Sequence, residues 1–341
     1  MEVKQRQTYR GVDLAKFFFA VCIVALHAEA AGVLPGLWSE IIEKGIFRLA
    51  VPYFFVASGF FLYQKVSADP AQSAAPVIKG YCLRLLRPLI VFELINIAQE
   101  VISLLRAGVG IFGIVLNIGR SVLFYPHGAL WFVQACIIGA ILLVPFVKKK
   151  RIKLAAVIGA ALFCVALICN NYYFVVKGTP LQPVIELYLK LCVSPRNGLF
   201  VGFFYLAVGM LCGQLRNKMT TSGAYGLCIV SYLVYLAEIL LLYFLDLPAK
   251  DDASLYVSHV VLIPALLMVT LTFDPPVRQE TSVLLRNLST GMYYLHRPVL
   301  WFVALVSSVG ILNFAIVAAA CVLICILAYR SQNKFLCGLL K

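Results

Sequence analysis

Apolar runs of membrane-spanning length recur along this chain, and they limit its fold more than any other feature. An α-helix rises 1.5 Å per residue, so roughly 20 apolar residues cross the ~30 Å hydrocarbon core of a bilayer. Hydrophobic residues make up 62% of the sequence and charged residues only 13%, whereas a soluble domain is roughly half apolar. The sequence therefore predicts an all-α, polytopic bundle of transmembrane helices.

The apolar runs predict about ten transmembrane helices. They are expected at residues 12–32, 43–63, 86–106, 128–147, 154–172, 198–215, 222–245, 255–273, 288–307 and 311–330. An even number places both termini on one side of the membrane. Basic residues concentrate on that side, led by KKKRIK at 148–153, and the positive-inside rule makes it the cytoplasm. We expect one membrane domain over 1–341, with a cytoplasmic lead at 1–10 and a cytoplasmic tail at 331–341.

The net charge of +14 would suggest nucleic-acid binding in a soluble chain. Here it is explained by topology, and no nucleic-acid partner is expected. The eleven cysteines lie mostly inside apolar runs and lack metal-ligand spacing, so we expect packing thiols and no metal site. The lead shows no cleavable signal peptide. The outer connection 107–127 is Gly-rich and apolar, which indicates an interfacial or re-entrant piece.

The first apolar run carries Asp13, Lys16 and His27. Ionisable groups inside a membrane cost roughly 2.5–3.5 kcal/mol each on insertion scales and are therefore candidate functional groups. Lys16 and His27 are eleven residues apart, about three helical turns, so they share one face. A neutral His27 can act as a general base; the alternative is a histidine that packs between helices. Lys16 either pairs with Asp13 or extends toward the interface.

Arg84 and Arg87 lie three residues apart in YCLRLLRP, at the cytoplasmic entry of the third span. Two guanidinium groups on one helix face can each donate paired hydrogen bonds to a phosphate. The alternative is a basic anchor for lipid headgroups.

Arg48 lies inside the second predicted span and needs an acidic partner. Glu93, Glu100 and Glu238 are the candidate intramembrane carboxylates. The sequence leaves two interpretations open, a structural ion pair and a binding site for a substrate carboxylate.

Further candidates lie near the outer ends of the spans. Arg196, in SPRNGLF, begins the sixth span, opposite a loop that contains KDDAS at 250–254. It can receive an anion or serve as part of a loop cap. Trp131 lies in HGALWF and His296 in YYLHRPVLW. Aromatic residues there commonly form an interfacial belt, but all four histidines occur at or within spans, which favours a polar internal cavity.

Several of these motifs resemble the acyltransferase-3 family of bacterial inner-membrane proteins. The family has a basic residue, normally Arg, and a His on its first helix with ten residues between them, as Lys16 and His27 do here. Four further motifs occur in the same order: Ser58-Gly59-Phe60, Arg84 with Arg87, Leu130-Trp131-Phe132 and Tyr294-Leu295-His296. Lys16 departs from the family because an ammonium group provides no bidentate fork.

The resemblance implies acyl transfer from cytoplasmic acetyl-CoA to a hydroxyl or amine of an envelope glycan or small molecule. It places the protein in the bacterial plasma membrane. In this interpretation Arg84 and Arg87 bind the CoA phosphates, Lys16 supports the same anion, and His27 is the catalytic base. We expect Arg48, Trp131, Arg196 and His296 to contact the acceptor.

A narrower similarity concerns the membrane domain of VanT-type serine racemases. It rests on FRLAVPYFFVASGF, SPRNGLF and KDDASLY. In those proteins the domain is assigned to serine uptake and is fused to a cytoplasmic racemase; racemisation is not expected of this sequence. The similarity implies an alternative, a carrier for serine or a related small amino acid without covalent chemistry. A membrane partner of a separate cytoplasmic enzyme is a third possibility.

Overall fold

A computed structural model describes residues 9–68, 73–308 and 310–340. Within these ranges the chain forms α-helices joined by turns and loops and contains no β-strand. The helices are α1 (Arg10–His27), α2 (Gly36–Gly45), α3 (Ala50–Ser67), α4 (Ala74–Arg106), α5 (Ile111–Leu123), α6 (Trp131–Lys148), α7 (Ile152–Ile168), α8 (Gln182–Cys192), α9 (Phe203–Leu215), α10 (Thr221–Phe244), α11 (His259–Thr272), α12 (Gln279–Val303), α13 (Gly310–Arg330) and α14 (Lys334–Leu340). Residues 1–8 of the predicted lead and 341 of the predicted tail lie outside the described residues.

The all-α fold class is confirmed, and every predicted span overlaps at least one helix. In the described part of the chain, six segments are long and apolar enough to cross a membrane: Gly36–Ser67, Ala74–Arg106, Trp131–Lys148, Gly198–Lys218, Thr221–Phe244 and Gly310–Arg330. Helices α5, α7 and α11 are apolar but shorter. The chain is thus a multi-pass membrane protein, while ten crossings and cytoplasmic termini remain predictions. The interfacial piece expected at 107–127 contains α5, whose apolar side chains are largely exposed.

The second span, 43–63, was predicted as one continuous helix, and this prediction is wrong. Helix α2 ends at Gly45, a 3₁₀ turn covers Phe47–Leu49, and α3 begins at Ala50. Arg48 therefore lies in a helix break and not within a helix. Pro52 does not cause the break, because it occupies the first turn of α3, where a missing N–H is tolerated.

The third predicted span began too late. Helix α4 starts at Ala74 and includes Pro88 within its length. Transmembrane helices tolerate an internal proline when neighbouring groups satisfy the freed carbonyl. The stretch 74–87 consequently extends the helix by more than three turns on the side where Arg84 and Arg87 lie.

Glycine contacts between α3 and α9 form the centre of the bundle. A Cβ atom on Gly209 would lie 2.1 Å from the carbonyl oxygen of Val56, and one on Gly59 would lie 2.3 Å from that of Leu206. Small residues permit such close backbone approach between membrane helices. Helix α1 packs against α12 on one side of this pair, and α6 packs against α9 on the other.

We predict that Gly59→Ala and Gly209→Ala each destabilise the protein by about 1–3 kcal/mol, because the added methyl meets a backbone carbonyl that cannot move aside. Gly80→Ala and Gly226→Ala are matched controls, since nothing lies within 4 Å of a Cβ at either position. Alanine is the better helix former there. Thermal unfolding in detergent measures both pairs, and equal melting temperatures would contradict the packing described here.

Candidate functional site

A small internal cavity of about 60 Å³ lies at the end of α1. Its volume exceeds the ~10–15 Å³ that one water needs. It brings together four of the predicted site residues, His27, Arg48, Trp131 and Arg196. Two aromatic residues that the sequence reasoning missed, Tyr205 and Tyr293, also line it. Charged side chains thus line an internal cavity, whereas His296, which was also expected at the site, is not among its lining residues.

His27 is the last residue of α1, which runs without a break from the turn of Lys16. Its Nδ1 lies 2.9 Å from the carbonyl oxygen of Ile23. A carbonyl oxygen only accepts hydrogen bonds, so Nδ1 carries the proton and the Nε2 lone pair of the neutral ring is available. The geometry thus selects the tautomer that a general base requires.

A second imidazole, that of His296 on α12, lies against His27. The two ring centroids are 5.0 Å apart. Nδ1 of His296 lies 2.7 Å from the carbonyl oxygen of Tyr293, and its Nε2 is buried without a hydrogen-bond partner in the described ranges. Leaving a buried acceptor unpaired costs about 1–3 kcal/mol. Both rings therefore present Nε2 as an acceptor for a hydroxyl or amine.

Arg48 belongs to a buried charge cluster at the cavity. Its Nη2 donates to Oε1 of Glu43 at 2.9 Å, and its Nη1 donates to Oδ2 of Asp252. The three carboxylates considered from the sequence, Glu93, Glu100 and Glu238, are not its partners. Asp252 is 204 positions away along the chain, and no sequence period marks such a pair.

Arg196 completes the cluster. Its Nε and Nη2 donate to the two carboxylate oxygens of Asp251 at 2.9 and 3.1 Å, and its Nη1 donates to Asp252 at 2.5 Å. The guanidinium carbon also lies 5.3 Å from the Tyr125 ring and 5.2 Å from the Trp131 ring. The acidic pair of KDDAS thus neutralises Arg196, while the neighbouring Asn197 caps the turn Gly198–Gly202 by accepting from two backbone N–H groups.

The cluster holds Asp252 in its ionised form. Burial raises the pKa of this carboxyl group, but the guanidinium groups of Arg196 and Arg48 outweigh burial and keep the pKa below its ordinary value of 3.8. Ser254 adds a hydrogen bond of 2.6 Å to the same carboxylate. One polar atom of the cluster is unsatisfied: Nε of Arg48 is buried without a hydrogen-bond partner in the part of the chain that is described.

The three glutamates have other partners. Glu238 accepts hydrogen bonds from the backbone N–H groups of Val257 and Ser258 at 2.8 and 2.9 Å, just before α11 begins. Glu100 exerts an electrostatic attraction on Arg297. Glu238 therefore fixes the turn before α11 to α10, a structural role.

Glu93 binds the segment that covers the cavity. It accepts from the Ser121 hydroxyl at 2.6 Å and lies 3.1 Å from Nδ1 of His127. His127 Nε2 contacts the side-chain oxygen of Asn117 at 3.0 Å. The chain then continues to Ala129 and Trp131, which line the cavity. His127 thus fastens α5 to α4 and does not itself face the cavity.

Lys16 lies on α1, three turns before His27, and outside the cavity lining. Its Nζ is 4.6 Å from the centre of the Phe61 ring. Asp13, the candidate partner of Lys16, attracts the ammonium group electrostatically, but its direct contacts are elsewhere: it accepts from Ser282 at 2.7 Å and lies 3.8 Å from Arg286. Both partners come from α12, which packs against α1 and offers donors closer than Lys16.

Arg84 and Arg87 are exposed on α4, away from the cavity. The guanidinium carbon of Arg87 lies 5.5 Å from the Phe335 ring of α14. Their side chains are accessible to an anionic ligand. Their assignment to CoA binding remains a prediction. Within the described ranges there is no cluster of three or more His, Cys, Asp or Glu side chains that could hold a metal ion.

The fold and the site together define a class. It is the class of multi-pass membrane proteins whose apolar helices enclose a pair of imidazole rings and a buried charge cluster. The chain is a member of the acyltransferase-3 family, described as "Acyltransferase domain", whose profile matches residues 9–330. This match confirms the family suggested by the spaced motifs.

Two curated relatives carry other names. An amino-acid racemase of Enterococcus faecalis is 23% identical over 336 residues, covering 95% of this chain and 46% of that protein. A serine/alanine racemase of Enterococcus gallinarum is 24% identical over 260 residues, covering 74% of this chain and 36% of that protein. The chain thus spans less than half the length of these relatives. No solved structure matches it significantly.

We predict that Asp252→Asn destabilises the protein by about 3 kcal/mol, since it leaves two buried guanidinium groups undercompensated. Asp274→Asn is the control, because the Asp274 side chain is 74% exposed and pairs with Arg10 at 3.6 Å, an interaction worth about 0–1 kcal/mol. Chemical or thermal unfolding in detergent compares them; similar losses would contradict a special role for the cluster.

A comparison of wild type with Asp252→Asn tests how the stability depends on pH. Because the folded-state pKa of Asp252 is lowered from 3.8, its stabilisation is complete above about pH 4 and is lost as the pH falls through the folded-state value. Wild type should therefore lose more stability than Asp252→Asn on acidification in that range. If the free energy of unfolding fell equally with pH in the two proteins, the lowered pKa of Asp252 would be contradicted.

Proposed function

We propose that this protein is a membrane-bound acyltransferase that moves an acyl group, acetyl in the simplest case, from acyl-CoA to a hydroxyl or amine. The acceptor would be an envelope glycan or a small molecule, and the location the bacterial plasma membrane. The observation that carries the proposal is the contact between the His27 and His296 rings, whose centroids are 5.0 Å apart. Both Nδ1 atoms are held by backbone carbonyls, which leaves both Nε2 lone pairs available, and His27 lines the cavity.

In the proposed reaction, His27 Nε2 accepts the proton of the acceptor hydroxyl as that oxygen attacks the thioester carbonyl carbon. A carbon–oxygen bond forms and the carbon–sulfur bond breaks. The departing CoA thiolate takes the proton held by His27, so the base is restored. His296, which is fully buried, accepts a second hydrogen bond from the acceptor and positions it.

The donor would enter from the end of the bundle where Arg84 and Arg87 are exposed. Their guanidinium groups can each bind phosphate oxygens through two parallel hydrogen bonds. Lys16 lies between this end and the cavity, roughly 16 Å from His27 by helical rise, a distance that an extended pantetheine arm spans. In this arrangement the phosphates stay in water while the thioester reaches the imidazole pair.

The names of the relatives favour one alternative, a carrier for serine or a related small amino acid, alone or with a separate cytoplasmic enzyme. Arg48 and Arg196 line the cavity and would have to receive the carboxylate. Both already bind Asp252, so the ligand must compete with a resident anion. Uptake of labelled serine by proteoliposomes, without consumption of acetyl-CoA, would favour the carrier over acyl transfer.

We predict that His27→Gln lowers acetyl-CoA consumption with an accepted acceptor by about 10²–10⁴-fold, as expected for loss of a general base. His259→Phe is the control: His259 is a buried imidazole packed 4.8 Å from the Tyr235 ring, outside the cavity lining, and its replacement keeps the aromatic contact. Thioester consumption by purified protein measures both. Full turnover in His27→Gln would exclude the assigned role.

Binding of the donor is tested separately from chemistry. We predict that Arg84→Ala combined with Arg87→Ala weakens acetyl-CoA binding at least tenfold, because two bidentate phosphate contacts are lost. Lys153→Ala removes an exposed basic residue of α7, a different helix at the same end of the bundle, and should leave the affinity unchanged. Calorimetry on detergent-purified protein reports the dissociation constants. Unchanged binding in the double variant would place the CoA phosphates at other residues.

A further inference from the structure

An apolar groove of about 300 Å³ runs between α4 and α6, apart from the cavity at His27. Its walls include Ile78, Cys82, Leu83 and Leu86 of α4, and Ile141 and Val144 of α6. Several of these side chains face outward: Leu83 and Ile141 are each 55% exposed. The groove is therefore a recess in the outer surface of the bundle.

The groove lies at the basic end of the bundle. Helices α4 and α6 are antiparallel, because Asn96, late in α4, contacts His127, just before α6, while Cys82, early in α4, contacts Ile137, further along α6. Val144 is four residues, about 6 Å, before Lys148. The apolar walls thus extend inward from a rim at the start of the segment 148–153.

Lys79 supplies the charge at this rim. It is the charged residue among those that line the groove, its side chain is exposed, and it has no ion-pair partner within the described ranges. Neither 73–92 nor 131–185 contains an acidic residue, whereas both contain several basic ones. The rim is therefore positively charged, with no carboxylate on either wall to neutralise it.

We propose that this groove is a binding site for one anionic phospholipid, with an acyl chain along the α4–α6 walls and the phosphate at Lys79. The apolar walls match a hydrocarbon chain, and the uncompensated ammonium group matches a phosphate that carries net negative charge. A zwitterionic lipid offers the same chain but less net attraction. Free phosphate offers the charge but nothing to fill the apolar recess.

The test uses the full chain, purified in detergent and stripped of lipid, with native mass spectrometry as the readout. Phosphatidylglycerol and phosphatidylcholine with identical acyl chains are added back at a series of concentrations. Wild type should retain phosphatidylglycerol more tightly than phosphatidylcholine. Lys79→Gln should weaken phosphatidylglycerol binding about fivefold, the effect expected for one basic residue near an anionic headgroup, and should leave phosphatidylcholine unaffected.

Two further variants separate the groove from general surface charge. Leu83→Trp fills the recess from an exposed position, so the protein should fold and should lose both lipids. Lys153→Gln removes a nearby basic charge outside the groove and should retain both. Equal binding of the two lipids, or unchanged phosphatidylglycerol binding in Lys79→Gln, would overturn the proposal. So would displacement of the lipid by acetyl-CoA or by inorganic phosphate at comparable concentration.

Discussion

The buried ion cluster of Arg48 and Arg196 with Asp251 and Asp252 is the interaction on which the site depends. It joins the break before α3, the turn before α9 and the loop before α11. In an apolar surrounding each charge is costly by itself and is tolerated because its partners are held close. Since the same cluster forms one wall of the cavity, the shape of the site depends on the correct packing of these three distant segments.

Local patterns were sufficient to predict the helices, because a run of apolar residues in lipid has few alternatives to an α-helix. They also placed His27 on one face with Lys16, since that relation depends on the helical period alone. The helix break at Arg48 was not predicted, because a continuous run of apolar residues does not show whether the helix within it is interrupted by a turn. The early start of α4 escaped prediction because each span was predicted at the roughly 20-residue length of one crossing, whereas this helix begins twelve residues earlier, at Ala74.

The partners of the charged residues could not be predicted from sequence. Arg48 pairs with Asp252 and not with Glu93, Glu100 or Glu238. The reason is tertiary packing, which brings the loop at 250–254 beside the end of α1. The pairing of His27 with His296 similarly required the packing of α1 against α12. Tyr205 gave no sequence signal, since a hydroxyl within an apolar run is ordinary. Only the structure shows that it lines the cavity and that its buried oxygen has no hydrogen-bond partner among the described residues.

The glycine contacts between α3 and α9 bear on how this protein can move. With backbones in direct contact, neither helix can rotate or slide past the other without a collision, so the two form one rigid body. Tyr205 of α9 and Phe55 of α3 stack within this body and line the cavity. In the proposed reaction, access to His27 would therefore come from displacement of surrounding parts, such as the segment joining α5 to α6, while α3 and α9 stay fixed.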